Sequence, residues 1–349
     1  MSFFYRTATL LLGSLLLIFA GLLFNARSQD SAARWLLFVS NRDGQRDLYR
    51  INPDNGYSQR LTMDRNEEFL PRWSGDGEWL VYETEREIYR MKLNGKDKQN
   101  LSRIAGQSHR FPDWSPDGEW IAFVAGSDAV SHIYAMRKDG SELRQLTTVA
   151  ANYWSPRWSP DGLSIVYASD KDWVPEINVQ EEEFATEPAR QVDLYRITRD
   201  GTGEIRLTDV PGFDWYPSWS PDGQWLVFAS SRDSDFEIYR MRLDGSDLER
   251  LTYSIGNDEF PAWSPDGKWI AFTSIRSGDI EIYLVSPDGN NLRQITASFN
   301  LDVAPAWSPL FDSRWNPSVF ALSGGLLLMT SVGLWRFGRG WSHQPFGSH

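Results

Sequence analysis

The pattern Pro-x-Trp-Ser-Pro-Asp-Gly constrains this chain more than any other feature in it. It stands complete at 112–118, 156–162, 217–223 and 261–267, carries Gly75 in place of the second proline at 71–77, and loses its Asp-Gly at 305–309. Each copy reads as the end of one strand, a tight turn and the start of another. In the copy at 261–267, Pro261 sits where a missing N–H costs little. Pro265 presets φ at the second turn position, Asp266 can hydrogen-bond its own backbone, and Gly267 accepts a left-handed conformation. Trp269-Ile270-Ala271-Phe272 then forms a short apolar strand. The six repeat tryptophans, Trp73, Trp114, Trp158, Trp219, Trp263 and Trp307, lie 41, 44, 61, 44 and 44 residues apart. A period in the low forties with turn signals inside it is the mark of propeller blades.

The rest of each unit supports that reading. A third strand follows, led by an acid in Asp47-Leu48-Tyr49, Glu87-Ile88-Tyr89, Asp193-Leu194-Tyr195, Glu237-Ile238-Tyr239 and Glu281-Ile282-Tyr283, with His132 in the acid's place in one unit. A fourth strand closes on Leu61-Thr62, Leu101-Ser102, Leu146-Thr147, Leu207-Thr208, Leu251-Thr252 or Ile295-Thr296. Four antiparallel strands make one blade. Residues 34–62 supply only three, at 35–39, 47–51 and 57–61, and the missing first strand is the orphan at 304–308. The expected fold is therefore all-β: a six-bladed propeller of four-stranded antiparallel blades over 34–309, closed by strands from both ends.

Two apolar segments flank the repeat. Residues 7–26 carry no charge and are long enough to span a bilayer, which makes 1–27 a transmembrane anchor, with a cleaved signal peptide as the alternative. Residues 315–336 read as a second transmembrane helix rich in small residues, and 337–349 as a tail. The turn at 305–309 lacks its Asp-Gly, so both segments should leave the propeller side by side from the face that carries the Ser-Pro-Asp-Gly turns. The opposite, top face then points away from a membrane. The arginines flanking the segments are nearly balanced, so the extracytoplasmic placement rests on the acidic character of the chain and on the resemblance given below.

That top face should hold the connections between blades and the acidic insert at 170–191, which lengthens the fourth unit. The candidate binding residues at the channel mouth are Glu67, Glu68, His109, Arg110, Trp154, Asp214, Trp215, Asp258, Glu259 and Asp302. Carboxylates around a low-dielectric mouth focus a negative potential, suited to a basic protein or peptide, an envelope glycan stacked on the aromatics, or Ca²⁺. A net charge of −12 argues against a nucleic-acid partner. The absence of cysteine removes thiolate chemistry and disulfides. No nucleophile elbow, zinc-binding helix or phosphate loop is present, so no catalytic residue is assigned. His109 beside Arg110 is the one lead towards lyase chemistry. The repeated acid before Ile-Tyr and the Ser-x-Arg-Asp loops at 40–43 and 230–233 read as architecture, since a catalytic group is needed once.

The Pro-x-Trp-Ser-Pro-Asp-Gly units and their terminal Leu-Thr resemble the WD40-like, or PD40, repeats of the TolB family, over about 34–309. The resemblance implies a protein-interaction module of the bacterial cell envelope, where TolB itself works with peptidoglycan-associated lipoprotein. This sequence departs from TolB in showing no α/β domain before the repeat and apolar segments on both sides. Propeller pectate-type lyases share the repeat and give the enzyme alternative, with catalysis at the channel mouth. The expectation is a membrane-tethered, non-catalytic binding or scaffolding propeller without a resident cofactor.

Overall fold

The computed structural model describes residues 34–173 and 190–309. Its 24 strands form six four-stranded antiparallel sheets. Blade 1 joins Asp302–Trp307 to Leu36–Ser40, Asp47–Ile51 and Ser58–Arg60, so both ends of the described chain share one sheet. Blades 2 to 6 follow in order over 68–100, 108–145, 153–206, 214–250 and 258–294. The expected closure and blade number hold. Strand limits differ from expectation by one to three residues, mostly because the Leu-Thr pair lies just beyond the outer strand. Among the described residues no helix is long and apolar enough to cross a membrane. The apolar segments 7–26 and 315–336, the tail at 337–349 and most of the acidic insert lie outside the described residues.

The core consists of six apolar clusters, one at each blade-to-blade interface. Second strands are buried on both faces and therefore read as unbroken apolar runs. Their side chains nevertheless alternate. Leu36 and Phe38 pack towards blade 6, while Leu37 and Val39 pack towards blade 2. This is the period of two expected of a strand, with both faces covered.

The repeat signatures have definite tasks. In each Ser-x-Asp-Gly turn the Ser Oγ donates to the Asp Oδ1 over 2.5–2.7 Å, and the same carboxylate oxygen accepts the N–H two residues on. Gly267 takes φ 71°, as its place in the turn requires. The Ser Oγ also accepts the N–H at the entry to the second strand, Trp269 N at 2.9 Å in blade 6. Ser308 does the same for Trp35 N across the closure, at 3.0 Å, without a turn between them. Arg34 Nη1 donates to Asp266 in the neighbouring turn at 2.5 Å. Both ends of the described chain thus stand on the turn face. The Leu-Thr signature works at the outer edge: in all six blades the Thr or Ser hydroxyl accepts the N–H of the Leu or Ile that precedes the third-strand Tyr, at 2.8–2.9 Å.

One feature of the inner strands was not foreseen. Leu70, Phe111, Ser155, Tyr216, Phe260 and Ala304 all take φ of 50–56°, each immediately before a proline. Proline usually drives its predecessor to an extended conformation. Here that residue makes the bulge that shifts the register with the second strand in every blade.

Candidate ligand-binding face

The inner strands Glu68–Trp73, Ser108–Trp114, Tyr153–Trp158, Asp214–Trp219, Asp258–Trp263 and Asp302–Trp307 surround the channel. They begin at the connection face and end at the turn face. Glu68, His109, Tyr153, Asp214, Asp258 and Asp302 hold equivalent places before the bulge, and all six are buried. Five of these were expected to line the mouth. Their side chains are enclosed by neighbouring strands.

Three of the acids are held by arginines. Arg42 Nη2 donates to Asp302 at 2.7 Å, Arg232 Nη2 to both oxygens of Asp214 at 3.1 Å, and Arg276 Nη2 to Asp258 at 2.5 Å. Each guanidinium also donates through Nε to a buried serine, Ser40, Ser230 or Ser274. Each lies over a Phe and a Tyr of its own blade, Phe272 and Tyr283 at 5.2 and 5.0 Å in blade 6. The Ser-x-Arg loops are therefore architectural, as expected, and each arginine serves the acid ahead of the bulge. The acid leading the third strand is architectural too. Glu237 accepts from Thr252 and Arg250 at 2.6 Å and from the loop N–H of Ser254 at 2.9 Å.

Glu68 has no such arginine, because blade 2 joins its second and third strands through Glu85-Arg86 alone. Its carboxylate accepts from Thr62 Oγ1 at 2.9 Å, and the other oxygen has no partner among the described residues. Burial pushes its carboxyl up to about 8. His109 stacks on Phe123 at 5.7 Å, and burial pulls its imidazole below the usual range.

The other expected residues stay nearer the surface but do not form one acidic ring. Glu67 is exposed, with Arg46 Nη1 at 3.8 Å. Glu259 is half-buried, and its carboxyl is raised first by burial and then by the neighbouring Asp258. Arg110 and Trp154 meet in a cavity of about 210 Å³ between blades 3 and 4, with Asp128, Asn152 and Arg190 also on its wall. Arg110 Nη2 donates to Asp128 at 2.9 Å, and Arg190 pairs with Asp170 while lying 5.4 Å over the Trp154 ring. Trp215 continues the aromatic surface. It lies 6.1 Å from Trp154, 5.1 Å from Phe213 and 5.3 Å from Phe236 in a stacked pair. Among the described residues no group of three or more His, Asp or Glu side chains is placed to hold a metal ion.

Reading acids and aromatics for the mouth passed over a different set. Ile255 is 95% exposed, Phe299 96%, Met63 76% and Tyr253 73%. All four sit on connections that follow the Leu-Thr signature, around blades 5, 6 and 1. Their signal in the sequence is a large apolar residue standing inside a polar loop. Lone exposed apolar residues need no explanation, but four on one arc of one face do.

The PD40 model, the TolB beta propeller domain, matches residues 83–187 and 196–313. This chain belongs to the TolB beta propeller family. An uncharacterized protein of Agrobacterium fabrum, Atu1656, is 34% identical over 177 residues, which cover 46% of this chain and 50% of that protein. The chain thus matches half the length of that relative. The crystal structure of TolB from Acinetobacter baumannii superposes with a TM-score of 0.67 at 20% identity, covering 80% of this chain and 67% of that one. An oligogalacturonate lyase in complex with manganese superposes at 0.53 and 15% identity, covering 76% and 74%. At such identities both structures speak for the fold alone.

Proposed function

We propose that this propeller is a non-catalytic binding module of the bacterial envelope that takes a protein or peptide partner on its connection face. The observation that carries the reading is the near-complete exposure of Ile255 and Phe299, with Tyr253 two residues before Ile255 and Met63 on the connection that leaves blade 1. Large apolar side chains set in a polar rim are the usual anchors of a protein interface. Glu67, Arg110, Trp154, Trp215 and Glu259 border the same face and would supply its polar and aromatic margin. Family membership supports a binding or scaffolding role over catalysis.

We further propose that the apolar segments at 7–26 and 315–336 hold the propeller to a membrane on its extracytoplasmic side. Arg34 and Ser308 meet the neighbouring strands on the turn face. Segments leaving from there would turn the connection face towards the envelope space.

A photo-crosslinking amino acid placed at Phe299, and separately at Leu163 on the turn face, tests the first proposal in intact cells. A discrete adduct is expected from position 299 and not from 163. The triple change Tyr253→Ser, Ile255→Ser and Phe299→Ser should abolish capture with an unchanged melting temperature. Equal crosslinking from both positions would overturn the reading. For the second proposal, the chain should stay in the membrane pellet after an alkaline carbonate wash, and its propeller should be digested by protease added to spheroplasts. A protected propeller would reverse the orientation.

A further inference from the structure

The residue before each inner-strand tryptophan is Arg72, Asp113, Arg157, Ser218, Ala262 or Ala306 in blades 2, 3, 4, 5, 6 and 1. Two of these side chains bond the next blade, while Arg72 bonds the carbonyl of its own neighbour Pro71. Asp113 Oδ2 accepts Trp158 N at 2.9 Å, and Ser218 Oγ accepts Trp263 N at 3.2 Å. Serine meets that need, and alanine is tolerated twice, so the fold does not require charge at this level. Blades 2 to 4 nevertheless carry three charges there.

Two guanidiniums share one carboxylate. Asp113 Oδ1 lies 3.9 Å from Arg72 Nε and 3.5 Å from Arg157 Nη1, which are ion contacts longer than hydrogen bonds to a carboxylate. The side chains keep 12%, 14% and 12% of their surface open to solvent. Burial pulls Arg72 down only to about 10, so it stays charged at neutral pH. The same burial pushes the Asp113 carboxyl up to about 7, so the single negative charge is itself only partly held. Arg72 Nη1 donates to the Pro71 carbonyl at 2.7 Å, and the opposite wall offers Ala262 and Ala306, which bring no side-chain acceptor to the remaining guanidinium donors.

We propose that the channel binds an oxyanion, a carboxylate or phosphate-like group, between Arg72 and Arg157. The site is separate from the connection face and does not depend on the partner proposed there. Asp113 would act as an internal competitor for the two guanidiniums, setting the affinity low enough for exchange.

Isothermal titration of the full-length chain with sodium sulfate and with sodium acetate, at ionic strength held constant with sodium chloride, tests this. Saturable binding of one of them is expected. Preference for sulfate points to a tetrahedral, phosphate-like ligand, and preference for acetate to a carboxylate. Arg157→Gln should weaken that binding about tenfold or more, since a charge-assisted contact is lost. Asp113→Asn keeps an acceptor for Trp158 N and removes the competing charge, so it should tighten binding by several-fold. Arg110→Gln, at the mouth, should leave it unchanged. Absence of saturable binding to both anions, equal binding by Arg157→Gln, or weaker binding by Asp113→Asn would each overturn the proposal.

Discussion

The two halves of this propeller are built from one repeat and held in different ways. In blades 5, 6 and 1 an arginine joins the acid ahead of the bulge, a buried serine and an aromatic pair into one clamp. Blades 2, 3 and 4 lack it. Blade 2 leaves Glu68 with Thr62 and the neighbouring Asp64 in place of an arginine. Blade 3 fills the place with His109 on Phe123, and blade 4 with Tyr153 on Tyr167 at 5.6 Å. The clamped half carries the exposed apolar arc. The unclamped half carries the cavity at Arg110 and Trp154 and the charged level in the channel. The difference teaches that the repeat specifies the blade, whereas the loop between its second and third strands decides what sits at the junction.

Breaking a clamp should give the largest effect. Arg276→Met leaves Asp258 fully buried beside an apolar side chain, and losing one member of a buried pair costs about 3–5 kcal/mol. Urea denaturation at neutral pH measures it. Adding Asp258→Asn should recover much of that loss, because the stranded charge is what costs most. A penalty for Arg276→Met no greater than a surface substitution would mean that the clamp is not what secures this half.

Much of this was legible in the sequence, and the limits have physical causes. The Trp spacing located every blade, and the three-strand opening at 34–62 with its orphan first strand at 304–308 located the closure, because turns impose residue types that periodicity exposes. The burial of the acids was not legible. Asp214, Asp258 and Asp302 stand in connections that read as polar, and the sequence does not show that Arg232, Arg276 and Arg42 reach back 18 residues, or across the closure, to cover them. The third-strand acids were placed correctly, because their recurrence in five units distinguished architecture from chemistry. Arg72, Asp113 and Arg157 carried no such signal, since they fill the one variable place of Pro-x-Trp and no one residue type holds it round the ring.

Glu68 sharpens the comparison through pH. Its folded carboxyl is raised to about 8, above the ordinary glutamate value, so the folded chain holds a proton that the unfolded chain has already released. Its contribution to stability therefore falls as pH rises from the ordinary glutamate range through about 8. Glu68→Gln removes that contribution to the slope. The variant should match the parent near pH 4, where both side chains are neutral, and melt higher by about 2 °C or more at pH 9. Melting curves across that range decide it. An equal separation between variant and parent at every pH would show that Glu68 titrates in the fold as it does in the unfolded chain.

Smaller effects test the serine and aromatic parts of the clamp. Ser274→Ala removes the oxygen that accepts Arg276 Nε at 2.8 Å and should cost about 1–2 kcal/mol. The equivalent hydroxyl in blade 2, Thr84 Oγ1, is buried without a hydrogen-bond partner among the described residues, so Thr84→Val should be neutral or stabilising by up to about 1 kcal/mol. Opposite signs at equivalent positions are the expected outcome of chemical denaturation.

The smallest effect concerns what replaces the arginine over the rings of blade 2. Lys98 Nζ lies 5.6 Å from the Tyr82 ring and 5.1 Å from Tyr89, where the clamped blades place a guanidinium. It comes from the outer edge of the blade and also bonds Asp64 at 2.5 Å, so it reaches the rings from the solvent side. Lys98→Met keeps the apolar stem over the rings and removes the charge. It should cost about 0.5–1 kcal/mol, the range for an exposed cation over an aromatic face. Raising the salt should shrink that cost, because the ammonium is partly open to water. A salt-independent penalty approaching that of Arg276→Met would make Lys98 the arginine's full replacement, and the two halves of the propeller would then be held alike.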